Sequence, residues 1–175
     1  ENLLNCLNSL SKQKSRDKFE VCISDNCSNV NIKKLITPYK KKLNINFKKN
    51  KKNLGFAMNV LKVSLQAKGE FIWFLGDDDL ATKNSISYLL NLIKKNKDVD
   101  FYFINSNQLD KKYLEKFSKP FDIKNLPKKM KTHSPIKNNK IVNFFDLIDH
   151  RVCFDFLLGF YVNAFRRKLW KKNLH

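Results

Sequence analysis

The sequence feature that most constrains the fold is a run of five apolar residues, Phe71 to Leu75, followed directly by Gly76 and three consecutive aspartates. A short, continuously apolar run ended by a glycine is typical of a strand buried on both faces of a sheet. Such a strand needs a layer of helices on each side. The run therefore predicts a central strand of a layered α/β domain, with carboxylates at its carboxyl end.

Strands and helices alternate around this run. Apolar spacing predicts helices over 2–12, 30–37, 56–67 and 83–95, and strands over 19–24, 43–47 and 99–104. The helix over 56–67 is expected to place Ala57, Val60, Leu61, Ser64 and Leu65 on one face and to be closed by Gly69. The alternation predicts a three-layer α/β/α sandwich with a mainly parallel sheet.

The pattern divides the chain into three parts. Residues 1–105 carry the alternating elements, whereas 106–140 are rich in Lys and Pro with little periodicity, which predicts a long and partly mobile excursion. Order is expected to return over 141–175, with a helix over 141–150. His133 and His150 have no partner pattern and are interpreted as surface residues.

The net charge of +19 favours anionic partners, namely nucleic acid, an acidic lipid surface or phosphorylated ligands. A general compositional bias towards Lys explains the same number. No apolar run is long enough to cross a bilayer. The first residues do not resemble a signal peptide, and the chain does not begin with Met. The chain is therefore expected to open inside a longer protein. The four cysteines form no metal or disulfide pattern and are expected to be reduced, buried thiols.

Asp77, Asp78 and Asp79 form a candidate metal site. Adjacent carboxylates raise one another's pKa unless a cation neutralises them, and oxygen-only ligands suit Mg²⁺ or Mn²⁺. Such an ion stabilises charge that builds on a departing diphosphate. The alternative is that these residues only cap the helix that follows, for which one Asp would suffice.

A second polar turn, Asp25 to Ser28, follows another predicted strand. Ligands of open α/β sheets bind at the carboxyl ends of the strands, so Asp25 could accept hydrogen bonds from a base or a ribose. Capping of the next helix explains these residues equally well.

Three segments together resemble the family 2 glycosyltransferases, which have the GT-A fold. Residues 20–28 resemble the family's second strand and its D-x-S/D-N-S turn, and 53–59 resemble its N-x-G-x-x-x-N stretch. Residues 69–79 resemble its G-E-y-i-x-x-L-D-x-D-D strand and metal motif. The form W-F-L-G-D-D-D is most similar to members that build bacterial surface polysaccharides, such as the abequosyltransferase-like group. Residues 165–170 resemble a family segment after the acceptor-side strand.

The resemblance implies that 1–105 are a nucleotide-sugar-binding core and that 141–175 begin the acceptor-side region. It implies that Asp25 contacts the base or the ribose of the nucleotide, and that the aspartate cluster binds the ribose and the metal. Asn53, Gly55 and Asn59 would shape the nucleotide side of the pocket. Gly76 stands where relatives have the first Asp, so the family register selects Asp78 and Asp79, while a literal D-x-D selects Asp77 and Asp79.

The resemblance also implies two missing pieces. Relatives begin with a strand and a P-x-Y-N turn that would precede this chain, so the first strand is expected to be absent. Their general base usually follows the F-R-R-x-x-W segment, which places it beyond His175. The other carboxylates in range are weaker candidates, namely Asp146, Asp149 and Asp155.

The resulting hypothesis is an inverting, metal-dependent transferase that takes a sugar from a nucleoside-diphosphate sugar to a glycan or a lipid-linked acceptor. It is expected in the cytoplasm, with possible peripheral contact to the inner face of the plasma membrane and no nucleic-acid partner. A nucleotidyltransferase of similar fold and a non-enzymatic basic module that binds nucleic acid or membrane are the alternatives. An inactive fragment is a further one.

Overall fold

The structure is a computed structural model that describes residues 1–136, 138–143 and 159–172. Helices and strands alternate through the first part as α1 (Asn2–Ser11), β1 (Val21–Asp25), α2 (Ile32–Ile36), β2 (Ile45–Lys49), α3 (Gly55–Gln66), β3 (Phe71–Trp73), α4 (Ser85–Lys95) and β4 (Phe101–Phe103). Shorter elements follow, namely β5 (Asn107–Gln108), α5 (Lys111–Leu114), β6 (Lys131–Thr132), β7 (Asn163–Arg166) and α6 (Arg167–Lys172). The predicted helices and strands of 1–105 are therefore present, with ends shifted by a few residues.

β1 and β2 form a parallel pair in which Val21 lies opposite Ile45 and Asp25 lies opposite Lys49. Side chains alternate across a strand. Val21, Ile23 and their counterparts on β2 pack into a core with α1, while the intervening residues face α3.

A second, three-stranded sheet has the order β3–β7–β4. β7 is antiparallel to both of its neighbours, so β3 and β4 point in the same direction. Tyr102 and Ala164 are buried at its centre together with Leu89 of α4. The α/β class and the parallel strand directions agree with the sequence prediction, whereas the antiparallel strand between β3 and β4 was not foreseen.

The main core joins the β1–β2 pair to the β3–β7–β4 sheet. It is built on α1 through Cys6, Leu7 and Leu10, and it extends to Trp73 and Leu75 at the end of β3. Ser9 accepts a hydrogen bond from the Ala81 amide (2.9 Å), and Gln13 donates to the carbonyl oxygen of Thr82 (2.9 Å). Helix α1 therefore holds the segment that follows the aspartate turn.

Arg166 ties the amino-terminal ends of β3 and β4 together. Its guanidinium pairs with Glu70 and Asp100, donates to the Lys97 carbonyl oxygen at 2.6 Å, and lies 4.6 Å from the centroid of the Phe71 ring. A planar fork with five N–H donors is suited to such a junction, whereas the three donors of a lysine radiate from one nitrogen and could not reach all of these partners.

Residues 106–136 dock on the domain through Phe121, whose side chain is 0% exposed. The Phe121 amide donates to Asn5 Oδ1 (2.7 Å), and its carbonyl oxygen accepts from Asn8 Nδ2 (2.8 Å). Lys12 also pairs with Asp122 at 2.5 Å. The proposed division at 105/106 stays a prediction, because no described contact decides whether the two parts fold separately.

Several local predictions were wrong. Helix α3 ends at Gln66 with Ala67 extended, so Gly69 does not close it; Glu20 Oε1 instead accepts from the Lys68 and Gly69 amides. Of the five residues predicted to share a face of α3, Ser64 is buried, whereas Ala57 and Leu65 are exposed. β3 is shorter than the apolar run that predicted it.

Cys6 is buried as expected, while Cys22 and Cys27 are partly exposed free thiols. Residues 141–143 are not helical; the rest of the helix predicted over 141–150 lies outside the described residues, as does Cys153. No helix in the described ranges is long and apolar enough to cross a membrane.

Candidate nucleotide and metal site

Asp25 ends β1 with a nearly buried carboxylate, since the residue is 6% exposed. Its Oδ1 accepts a hydrogen bond from the Ser28 amide (2.8 Å), which closes the turn that the sequence predicted. Oδ2 is buried without a hydrogen-bond partner, and Lys49 Nζ lies 3.6 Å from it. Because an unmatched buried acceptor is costly, Asp25 is suited to receive a donor from a ligand.

Asparagine side chains connect this turn to helix α3. Asn26 Oδ1 accepts from the Leu54 amide (2.9 Å) and from Asn50 Nδ2 (3.2 Å), while its Nδ2 donates to Asn53 Oδ1 (2.8 Å). Asn53 Oδ1 also accepts from the Gly55 amide (2.9 Å), at the start of the helix. The network fixes the loop between β2 and α3 against the end of β1.

Asn59 belongs to the same network, one turn further into α3. Its Oδ1 accepts from Ser24 Oγ (2.7 Å) and Asn50 Nδ2 (3.0 Å), and its Nδ2 donates to the Ser24 carbonyl oxygen (3.3 Å). With its amide engaged inside the protein, Asn59 joins the end of β1 and the loop after β2 to α3. Gly55 has φ +76°, a conformation that costs other residues energy, and this explains why a glycine opens the helix.

We expect Asn59→Ala to lower the free energy of unfolding by about 1–3 kcal/mol, because Ser24 Oγ and Asn50 Nδ2 lose their acceptor. Asn91→Ala is the matched control, since Asn91 is an exposed asparagine of another helix and its loss should change stability by less than about 0.5 kcal/mol. Urea unfolding measures both. Equal effects would show that the Asn59 network does not stabilise the domain.

The aspartate turn folds over Gly76. Asp79 Oδ2 accepts from the Gly76 amide (2.6 Å), and the Asp79 amide donates back to the Gly76 carbonyl oxygen (3.2 Å). A Cβ at position 76 would lie 2.6 Å from Asp78 Oδ1 and 3.1 Å from Asp79 Oδ2. The carboxylates of Asp78 and Asp79 therefore converge over the glycine, in space that a side chain would otherwise occupy.

The charged form of Asp79 is disfavoured at this turn. Burial raises the pKa of Asp79, the Gly76 amide lowers it, and Asp78 and Asp77 raise it. Burial also raises the pKa of the Cys6 thiol to about 12, and the three aspartates add to that shift, which shows that they lie near α1. A cation at the turn would relieve this repulsion.

The aspartates fit a cation site that a substrate's phosphates complete, and not a site made of protein ligands alone. Within the described residues, no three His, Cys, Asp or Glu side chains form a ready-made metal cage. Mg²⁺ and Mn²⁺ often take only one or two protein carboxylates, and a substrate's phosphates supply further ligands. The converging oxygens of Asp78 and Asp79, with Asp77 exposed beside them, match that donor set.

Aromatic rings surround the chain segment between β3 and the aspartate turn. Phe74 contacts Phe160, Phe165 and Trp170, with ring centroids 5.7, 5.8 and 6.1 Å away. Trp73 Nε1 donates to the Tyr161 carbonyl oxygen (2.7 Å), which holds the segment before β7 alongside the turn. These contacts fix the backbone that leads into Gly76.

Comparison with known proteins identifies the family of this chain. The sequence profile of the family described as "Glycosyl transferase family 2" matches residues 1–167, so the chain belongs to that family. Its fold is of the GT-A type.

Individual relatives are longer. The chain is 32% identical over 101 residues to abequosyltransferase RfbV of Salmonella typhimurium, covering 57% of this chain and 30% of RfbV. It is 35% identical over 82 residues to poly(ribitol-phosphate) beta-N-acetylglucosaminyltransferase TarS of Staphylococcus aureus, covering 46% of this chain and 14% of TarS. The crystal structure of S. aureus TarS 1–349 with UDP-GlcNAc superposes with a TM-score of 0.68 at 20% identity, over 98% of this chain and 43% of TarS 1–349. The chain thus spans less than half of each.

Sequence reasoning missed several site residues. Asn26 lies within the predicted polar turn, but nothing in the sequence signalled that Asn50 would contact Asn26 or that Lys49 would pair with Asp25. His133 is half-buried rather than a plain surface residue, because its ring lies 6.0 Å from that of Tyr161. The carboxylates Asp146, Asp149 and Asp155 and the second histidine, His150, lie outside the described residues.

Proposed function

We propose that this protein transfers a sugar from a nucleoside-diphosphate sugar to a glycan or lipid-linked acceptor. The observation that carries the proposal is the pair of polar turns on one layered core, in a chain of this family. One turn offers the unmatched oxygen of Asp25, and the other offers the converging carboxylates of Asp78 and Asp79. A nucleotide needs hydrogen-bond acceptors for its base or ribose and a cation for its diphosphate.

In this proposal Asp25 accepts hydrogen bonds from the base or ribose, and the neighbouring Lys49 moderates its charge. Asn53, Gly55 and Asn59 act by holding the loop that borders the nucleotide, as their internal hydrogen bonds indicate. Asp77 and Asp78 reach the ribose and the diphosphate side from the exposed face of the aspartate turn.

Asp77, Asp78 and Asp79 would together hold Mn²⁺ or Mg²⁺. When bound, such an ion neutralises charge on the departing diphosphate. The protein's own contribution is the Gly76 turn, because the absence of a side chain there lets Asp78 and Asp79 approach the same point.

Inversion at the sugar carbon requires a base on the acceptor side that takes the proton of the attacking hydroxyl. The sequence resemblance places that base downstream of the segment at 165–170, and Asp155 is the other candidate. The similarity to an abequosyltransferase and to a poly(ribitol-phosphate) beta-N-acetylglucosaminyltransferase supports a sugar-transfer reaction. The acceptor in bacterial surface-polysaccharide synthesis is what the sequence resemblance implies. The protein would act in the cytoplasm, with peripheral contact to the inner face of the plasma membrane.

Calorimetric titration of the full-length protein with UDP, GDP, CDP and TDP, with and without Mn²⁺, tests the proposal. We expect one nucleotide to bind clearly more tightly than the others, and only with the metal present. Release of that nucleotide from its sugar conjugate, on addition of an acceptor, would complete the test. A folded protein that binds none of the four would contradict the proposal.

A further inference from the structure

Polar side chains at the end of α1 are buried where the helix meets the chain that follows the aspartate turn. Ser9 is 0% exposed, and Gln13, two residues past the end of the helix, is 2% exposed. Serine and glutamine are seldom buried this completely unless hydrogen bonds compensate for the loss of water. The partners of these two side chains therefore show what their burial achieves.

Both side chains bond to the backbone directly after the aspartates. Ser9 Oγ accepts from the Ala81 amide (2.9 Å). Gln13 Nε2 donates to the carbonyl oxygens of Thr82 (2.9 Å) and Ala81 (3.3 Å). Gln13 Oε1 faces the Ile86 amide at 3.5 Å, in the first turn of α4. One side-chain amide thus connects the end of α1 to the exit of the aspartate turn and to the start of the next helix.

The aspartate turn itself bonds only internally among the described residues. The hydrogen bonds of residues 76–80 there join Gly76 and Asp79 to each other. On one side of the turn, sheet pairing ends at Trp73. On the other side, Ala81 is the first residue that bonds to α1. The positions of the carboxylates therefore depend on where these two ends are held, and α1 holds the second end.

Apolar packing and hydrogen bonds act together at this junction. Cys6, Ala81 and Ile86 are buried in one core cluster, which keeps the segment near α1. Apolar contacts are not directional, whereas hydrogen bonds prefer a narrow range of distances and angles. Ser9 Oγ also donates to the Cys6 carbonyl oxygen (2.6 Å), so its hydroxyl is oriented to accept from Ala81. Ser9 and Gln13 therefore set the orientation of a segment that packing alone would only hold nearby.

We propose that Ser9 and Gln13 are positioning residues for the cation that Asp78 and Asp79 would hold. They fix the exit of the aspartate turn in the position where both carboxylates converge over Gly76. Ligands held in place bind a cation more tightly than mobile ones, because less conformational freedom is lost on binding. The inference rests on the proposed function, since it concerns the same metal site.

Residue-resolved hydrogen exchange of the full-length protein, without metal or nucleotide, tests the positioning step. We expect Ser9→Ala to speed exchange of the Gly76 and Asp79 amides, which bond to each other's residue and not to Ser9. Ser11→Ala is the matched control, because Ser11 is a buried serine of the same helix whose hydroxyl donates to the Asn8 carbonyl oxygen (2.8 Å). Equal exchange of the two amides in both variants would overturn the inference.

Titration with Mn²⁺ alone, followed by the paramagnetic resonance signal of the free ion, tests the consequence. Gln13→Ala should weaken Mn²⁺ binding about tenfold, as expected for residues that orient metal ligands. Asn5→Ala is the matched control, since Asn5 is a 3% exposed amide of α1 that accepts from the Phe121 amide instead. Both variants should unfold at lower urea concentration, whereas only Gln13→Ala should lose Mn²⁺ affinity.

The outcomes separate this inference from the metal site itself. Equal Mn²⁺ affinity in Gln13→Ala and Asn5→Ala would overturn the inference and leave the metal site intact. If Gln13→Ala does not fold, Ser9→Ala against Ser11→Ala decides the same question, with a smaller expected loss of affinity. An unaltered protein that binds no Mn²⁺ would contradict the proposed function, and hydrogen exchange would then decide whether α1 positions the turn.

Discussion

Conversion of Asp78 and Asp79 to Asn should weaken Mn²⁺-dependent nucleotide binding by at least about 100-fold, because two charges that face the cation are lost. Asparagine keeps an oxygen at the position where Asp79 accepts from the Gly76 amide, so the turn itself should persist. Calorimetric titration with and without Mn²⁺ measures the loss. Asp98→Asn, an exposed carboxylate elsewhere, should bind as the unmodified protein does.

Asp77→Asn distinguishes the two registers of the aspartate motif. If Asp78 and Asp79 are the main cation ligands, as their convergence over Gly76 suggests, Asp77→Asn alone should have a small effect. A loss as large as that of the double variant would favour the literal D-x-D register. Unchanged, metal-independent binding in Asp78→Asn/Asp79→Asn would contradict the metal site.

Phe121→Ala should lower the free energy of unfolding by about 3–5 kcal/mol, the range for removal of a fully buried phenylalanine. Phe121 is 0% exposed and lies against α1, where its backbone also bonds to Asn5 and Asn8. Urea unfolding followed by circular dichroism measures the change. Phe56→Ala is the matched control; at 70% exposure and with one edge-on ring contact, to Phe160, it should cost less than about 1.5 kcal/mol.

This second result also tests the predicted division at 105/106. A large and fully cooperative loss would mean that residues 106–136 are integral to the domain. A small loss, or a separate early transition, would support an excursion that folds independently of residues 1–105.

The sequence predicted what depends on local pattern. The apolar run at 71–75 and the alternation around it led to the α/β class, and the acidic turns followed from strands that end at polar residues. The sequence showed that Gly76 replaces the first Asp of the family motif. Its effect required the structure, which shows the carboxylates of Asp78 and Asp79 in the space that a side chain at position 76 would occupy.

Long-range pairing was beyond sequence reasoning. Asn50 reaches Asn26 across 24 residues, and nothing local marks an asparagine as part of a network. The exposure of apolar residues on α3 was not predicted, because periodicity identifies apolar positions and does not say whether anything covers them. Phe121 was missed because a single anchoring ring leaves no periodic trace in a segment rich in Lys and Pro.

The position of β7 has a consequence for how the chain assembles during synthesis. Its residue Arg166 pairs with Glu70 across 96 positions, and β7 separates β3 from β4 in the sheet. β3 and β4 are synthesised long before β7, so the strand edges that pair with β7 stay unpaired until it has been made. Closure of this sheet is a late, non-local event, and folding should be slower than the short helices alone would suggest.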